Sequence, residues 1–150
     1  MNNIKMFCIS MNVNHLNFIK EINYSPVGLG KESFSSEWYR DNTGSNISEK
    51  NKNYGEYTFH YWLWKNYIDN ENLRDDWIGF CQYRKFWSPQ KNSLLPENLD
   101  RLKSLVLTKI PKSYENVDVI LGEEIFTTNF KKMKFIKKGI KLFLKKPSYL

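Results

Sequence analysis

Two stretches of the sequence gather the side chains that do chemistry. In the first, Ser45 to Asn66 (SNISEKNKNYGEYTFHYWLWKN), Glu56 and His60 stand four residues apart. On a helix that spacing places both on one face, with Tyr54 nearby. A carboxylate beside an imidazole serves acid–base chemistry or holds a metal. For His60 the plainer reading is favoured, a buried polar pair that sets the helix against a sheet. Glu56 points more strongly to function, because a carboxylate in so aromatic a stretch needs a partner. Lys65 either serves as that partner or points to solvent.

The second stretch is Gly79 to Trp87 (GFCQYRKFW). An apolar run ends there, and Gln82, Tyr83, Arg84 and Lys85 follow at once. In α/β sheets, ligands bind beyond the carboxyl ends of strands. Arg84 and Lys85 at such an end suit a diphosphate, Arg as a planar fork and Lys as a point charge. The alternative is a solvated loop start with two ordinary surface bases. A third group, Asp41, Asn42 and Asn46, lies in a polar segment. These residues hydrogen-bond sugar hydroxyls or cap the helix that follows, and capping is the cheaper explanation.

Several nucleotide and nucleophile signatures are missing from the sequence: GxxxxGK[ST], GxGxxG and GxSxG. The Asp-x-Asp metal–diphosphate motif is missing from the expected place too. Asp75 and Asp76 precede a predicted strand, and Asp118 lies within one.

The elements that must position these groups follow from periodicity. Ile4 to Ser10 (IKMFCIS) reads as a buried strand closed by an Asn-rich turn. Leu16, Phe18, Ile19 and Ile22 suggest a short helix over Asn14 to Ile22. Tyr24 to Leu29 reads as a second strand, so the chain opens as α/β. Lys31 to Ser48 is a long polar loop. Ser48 to Ile68 is the strongest predicted helix, with Ser48 as N-cap. Its Tyr54, Tyr57, Tyr61, Trp64 and Ile68 recur at spacings of three and four, and Phe59, Trp62 and Leu63 widen the face. So aromatic a helix is expected to be buried on most sides. Asp76 to Tyr83 is nearly continuous in apolar residues and is expected to be a central strand. Pro96 to Leu107 reads as an amphipathic helix with Pro in its first turn, and Val117 to Leu121 as a short buried strand.

From Phe130 the pattern changes. Phe130, Met133, Ile136, Ile140, Phe143 and Leu144 recur at helical spacing, Lys fills the other side, and Pro147 ends the run. The chain is therefore expected to divide into an α/β domain over 1–129 and a basic amphipathic helical tail over 130–150.

The charge follows the same division. The net charge is +7, yet all 16 acidic residues precede Phe130 and 8 Lys follow it. The basic character belongs to the tail, which argues against a general nucleic-acid surface. Such a helix suits an anionic membrane surface, and equally a helix packed on the domain with a solvated Lys face. Cys8 and Cys81 sit in apolar runs without metal-ligand spacing, as free thiols do in a reducing cytoplasm. The start is too polar for a secretory signal, and no run reaches the roughly 20 apolar residues of a membrane span. A cytoplasmic protein is the expectation, with the tail either at the inner face of the membrane or packed on the domain. The aromatic content, 16% of residues, serves a core or the faces of sugars.

The two chemistry-bearing stretches together resemble a family of bacterial capsular-polysaccharide glycosyltransferase domains. Its pattern is roughly NIS-x-x-N-x-x-Y-C-E-x-T-x-x-Y-W-x-W-K-N followed by G-x-x-H-Y-R-R-Y-F. The matching positions are Asn46, Ile47, Ser48, Asn51, Tyr54, Glu56, Thr58, Tyr61, Trp62, Trp64, Lys65, Asn66, Gly79, Tyr83 and Arg84. Gly55, Gln82 and Lys85 depart from it, standing where the pattern has Cys, His and Arg. The resemblance implies a GT-A-like α/β fold, of which this chain is the N-terminal part. It implies transfer of a sugar from a nucleotide-sugar donor to a glycan or lipid-linked acceptor, with manganese or magnesium as the cofactor to be tested. Glu56 and Arg84 are then the catalytic candidates, with Glu56 a carboxylate at the site or a bond partner for Arg84. Asp41, Asn46, Ser48, Asn51, Tyr54, Tyr83 and Lys85 are the donor-binding candidates. The competing expectation is a non-catalytic remnant that acts as a binding or interaction module.

Overall fold

The computed structural model describes residues 4–68, 77–89, 96–114, 116–123 and 132–145. Contacts within the chain divide it into a unit over residues 1–120 and a unit over residues 121–150.

The first unit is a parallel sheet with helices on both faces, an α/β architecture. Strand β1 (Ile4–Ser10) is followed by a 3-10 turn (Val13–His15) and helix α1 (Leu16–Glu21). Strands β2 (Ser25–Gly28) and β3 (Tyr39–Arg40) come next. A 3-10 turn (Ser48–Lys50), helix α2 (Asn51–Tyr54), helix α3 (Tyr57–Leu63) and a π turn (Trp64–Ile68) lead towards strand β4 (Trp77–Gln82). Helix α4 (Leu99–Leu105) and a 3-10 turn (Lys112–Tyr114) complete the unit. The sheet order is β3-β2-β1-β4, and every pairing is parallel.

Alternation along the strands explains the two cores. Met6 and Cys8 point to one face, with Ile19 and Ile22 beside α1, Cys81 of β4, and Leu102 and Val106 at α4. Phe7 and Ile9 point to the other, where Val27 and Leu29 meet Phe59 and Leu63 of α3. A period of two on β1 thus feeds two helical layers. Gly79 is required by this packing, because a Cβ there would run into the Met6 side chain on the paired strand.

Several expectations are met and several are corrected. The first strand, the first helix and the second strand lie where periodicity places them. The long helix does not run unbroken. Gly55 has φ +57° and ψ −130°, a backbone state that side chains other than glycine's resist, and the chain bends there between α2 and α3. Nor is that helix buried on most sides: Tyr57 is 64% and Trp64 50% exposed, while Thr58, Phe59 and Leu63 face the sheet. Ser48 is not a cap, because the residue before the 3-10 turn is Ile47, with no side-chain capping bond. The strand after residue 76 is present but is an edge of the described sheet; its interior strands are β2 and β1. Pro96 precedes α4, whose N-cap is Asn98, accepting from the Arg101 N–H at 2.8 Å. Val117 to Leu121 forms no strand, and Val119 and Leu121 are 68% and 82% exposed. A five-residue run interrupted by Asp118 is too short to pair without a neighbouring edge to receive it. The loop over residues 31–48 hides β3, whose two residues are too few to show a period.

The second unit holds helix α5 (Lys132–Lys145). Ile136, Ile140 and Leu144 form an exposed stripe at spacings of four. No helix among the described residues is long and apolar enough to cross a membrane. Asp75, Asp76, Phe130 and Pro147 lie outside the described residues.

Candidate functional site

The topology of the sheet singles out one place. From β1 the chain moves outward through β2 to β3, then returns to the other side of β1 as β4. The connections on the two sides of β1 therefore diverge, and the crevice beyond the carboxyl ends of β1 and β4 is a topological switch point. Two backbone bonds shape its rim. The Tyr83 N–H donates to the Ile9 carbonyl at 3.1 Å, and the Leu29 N–H to the Ser10 carbonyl at 3.0 Å.

Tyr83 and Arg84 follow β4 directly into that crevice. The Tyr83 ring stacks on His15, with centroids 4.3 Å apart and planes at 29°. Arg84 is exposed, its guanidinium carbon 5.5 Å from the centre of the same ring. Ser10, the last residue of β1, places its Oγ 2.8 Å from His15 Nδ1. Lys85 is also exposed and closes the turn with its N–H on the Gln82 carbonyl at 2.9 Å.

Glu56 enters from the α3 face of the sheet. Gln82 Nε2 donates to Glu56 Oε2 at 2.7 Å, which ties the carboxylate to the end of β4. This corrects both partners expected for Glu56. Lys65 instead sits 3.5 Å above the Trp64 ring, and Arg84 lies against Tyr83. His60 packs on Phe80, with ring centres 4.1 Å apart, and its Nε2 is buried with no hydrogen-bond partner among the described residues. Burial lowers the His60 pKa, and the nearby Glu56 charge offsets only part of that shift. A neutral imidazole is the cheaper form in such surroundings.

The remaining motif residues hold a loop. Thr58, Trp62 and Asn66 recur every four residues along one side of α3 and the π turn. Thr58 Oγ1 donates to Asp41 Oδ2 at 2.5 Å, Trp62 Nε1 to the Thr43 carbonyl at 2.9 Å, and Asn66 Nδ2 to the Ser45 carbonyl at 2.8 Å. Asp41 is almost wholly buried, and the Thr58 hydroxyl offsets part of the cost of burying its carboxylate. Asn51 Nδ2 donates to Thr58 Oγ1 and to the Gly55 carbonyl, at 3.0 and 2.9 Å. Asn46 Oδ1 accepts from the Ser48 N–H and hydroxyl, at 3.2 and 2.8 Å.

Of the residues expected at the site, the structure therefore brings Glu56, Tyr83, Arg84 and Lys85 to the carboxyl end of the sheet. Asp41, Asn46, Ser48 and Asn51 are engaged in the bonds that shape the 41–58 segment. Tyr54 stands half in solvent at the end of α2. Sequence reasoning passed over Ser10 and His15, although a polar residue at a strand's carboxyl end followed by an Asn-rich turn was a usable signal. Gln82, which stands where the family pattern has His, holds the Glu56 carboxylate through its amide. Among the described residues no three His, Cys, Asp or Glu side chains converge on a point that would hold a metal ion.

No curated protein and no solved structure matches the chain. The model of one family, the domain of unknown function DUF4422, matches residues 9–144, nearly the whole sequence, and the chain belongs to that family.

Proposed function

We propose that this chain is a nucleotide-sugar-dependent glycosyltransferase domain of GT-A-like type. It would move a sugar from a nucleotide diphosphate to a glycan or lipid-linked acceptor in surface-polysaccharide assembly. The observation that carries this reading is the position of Tyr83 and Arg84 directly past β4, at the switch point of a parallel sheet. In this reading Arg84 meets the diphosphate with its planar fork and stabilises the charge that grows as the nucleotide leaves. Glu56 takes the proton of the attacking acceptor hydroxyl, held in place by the Gln82 amide.

The test is a thermal-shift screen of UDP-, GDP-, CMP- and dTDP-linked sugars, each with and without manganese. One donor is expected to raise the Tm, and Arg84→Ala is expected to abolish the shift. Equal shifts in both proteins would sink the Arg84 assignment.

A second reading, a non-catalytic interaction module, is favoured by one observation. Tyr54, Tyr57 and Trp64 stand out from α2, α3 and the π turn, each at least half exposed. Rings in that position suit a protein partner or a second copy of the chain. Sedimentation would show self-association; a monodisperse monomer counts against it.

A further inference from the structure

His15 is held in a way that fixes what it offers to solvent. The Ser10 hydroxyl, almost wholly buried, accepts from the Asn12 N–H at 3.0 Å, which occupies one lone pair. Its single proton has two acceptors in reach, His15 Nδ1 at 2.8 Å and the Asn12 carbonyl at 3.2 Å. With the proton on the shorter contact, the neutral imidazole carries its own hydrogen on Nε2. With His15 charged, Nδ1–H donates to Ser10, the hydroxyl turns to the Asn12 carbonyl, and Nε2 still carries a hydrogen. With the hydroxyl proton on that shorter contact in the neutral form, Nε2 is a donor in either charge state. It has no partner among the described residues and is not buried, and Tyr83 covers one face of the ring. Arg84 lies against the same Tyr83 ring. His15 and Arg84 therefore both contact one aromatic ring, beyond the carboxyl ends of β1 and β4.

We infer that His15 is a second phosphate-binding residue of this site: its Nε2–H and the Arg84 guanidinium together take the oxygens of a nucleoside diphosphate, and Ser10 is the positioning residue that sets the tautomer. A fixed donor beside a guanidinium matches an acceptor-only dianion, and it disfavours a ligand that would itself donate. The inference deepens the donor reading above and rests on it.

Calorimetric binding of inorganic pyrophosphate and of UDP, to the whole chain and its variants, tests it. His15→Ala is expected to weaken both ligands by on the order of tenfold, the effect of losing one hydrogen bond to a charged group. His15→Gln, which keeps an N–H donor, is expected to recover part of that loss. In wild type, ¹⁵N spectra are expected to show the Nε2–H tautomer, and UDP to shift that nitrogen. Ser10→Ala is expected to give a tautomer mixture. If His15→Ala binds within about twofold of wild type while Arg84→Ala does not bind, the donor reading stands and this inference falls. If wild type binds neither ligand, both fall. If His15→Ala fails to fold, the wild-type spectra decide, and an Nε2 signal unmoved by bound UDP overturns the assignment.

Discussion

At the amino end of the sheet, Lys5 turns its ammonium inward. Its Nζ donates to the Tyr67 hydroxyl and to the Tyr39 hydroxyl, and it lies 4.5 Å from the centre of the Tyr67 ring. Burial pulls its pKa down, but the bonds with Tyr67 and Tyr39 outweigh burial, and the net shift is upward. At the carboxyl end, Arg84 and His15 lean on Tyr83 and leave donors facing water. Both ends set a cation or donor against tyrosine. At one end the chain itself satisfies the charge; at the other a ligand is needed to do so. A base of the first kind contributes to stability, and a base of the second kind contributes to binding.

Three substitutions break or sharpen this contrast. The largest effect on stability is expected away from both ends, at Thr58→Val. It leaves the buried Asp41 carboxylate without its 2.5 Å hydroxyl partner. A loss of about 1–3 kcal/mol is expected by chemical denaturation. Donor binding should weaken as well only if the 41–48 loop takes part in it. A smaller loss, about 1 kcal/mol, is expected for Lys5→Met, which keeps the stem and removes the ammonium. Its calorimetric affinity for UDP should equal that of wild type; a matching loss of affinity would show that the two ends are not separate. The smallest effect concerns His60, whose folded pKa is lowered by burial. The unfolded chain binds the proton near pH 6.5, ahead of the folded chain. Stability contributed by the neutral ring is therefore full above that pH and is lost as pH falls towards the lower folded value. Between pH 7.5 and 5.5, the Tm of wild type should fall more steeply than that of His60→Phe. Parallel slopes would remove His60 from the account.

The parts of the fold legible in the sequence are those written locally. Ile4 to Ser10 announces a buried strand because both its faces meet helices. Leu102 and Val106 announce α4, and the Lys-flanked stripe of Ile136, Ile140 and Leu144 announces α5. The errors have a common cause. An aromatic stripe at helical spacing looks the same whether it is buried or exposed, so Tyr57 and Trp64 were expected inside. Gly55 breaks the helix through a backbone state that periodicity does not register. The run from Trp77 to Cys81 reads as a central strand, yet it lies at an edge of the described sheet. The site was half legible. Arg84 follows its strand directly, so position alone gives it away. His15 meets Tyr83 from far along the chain, and no local pattern carries such a contact.

Cys8 and Cys81 face each other across the β1–β4 ladder as buried free thiols. Their mutual hydrogen bond, and then burial, push the Cys81 thiol far above its ordinary pKa, so the reactive thiolate is suppressed. Both thiols face the layer formed by α1 and α4, so a thiol reagent can reach them only when that layer opens. The two strands that carry them end at Ser10 and Gln82. The rate at which the folded chain takes up such a reagent is therefore an internal clock for the opening of the scaffold under the site, and a ligand bound across the ends of both strands would slow it.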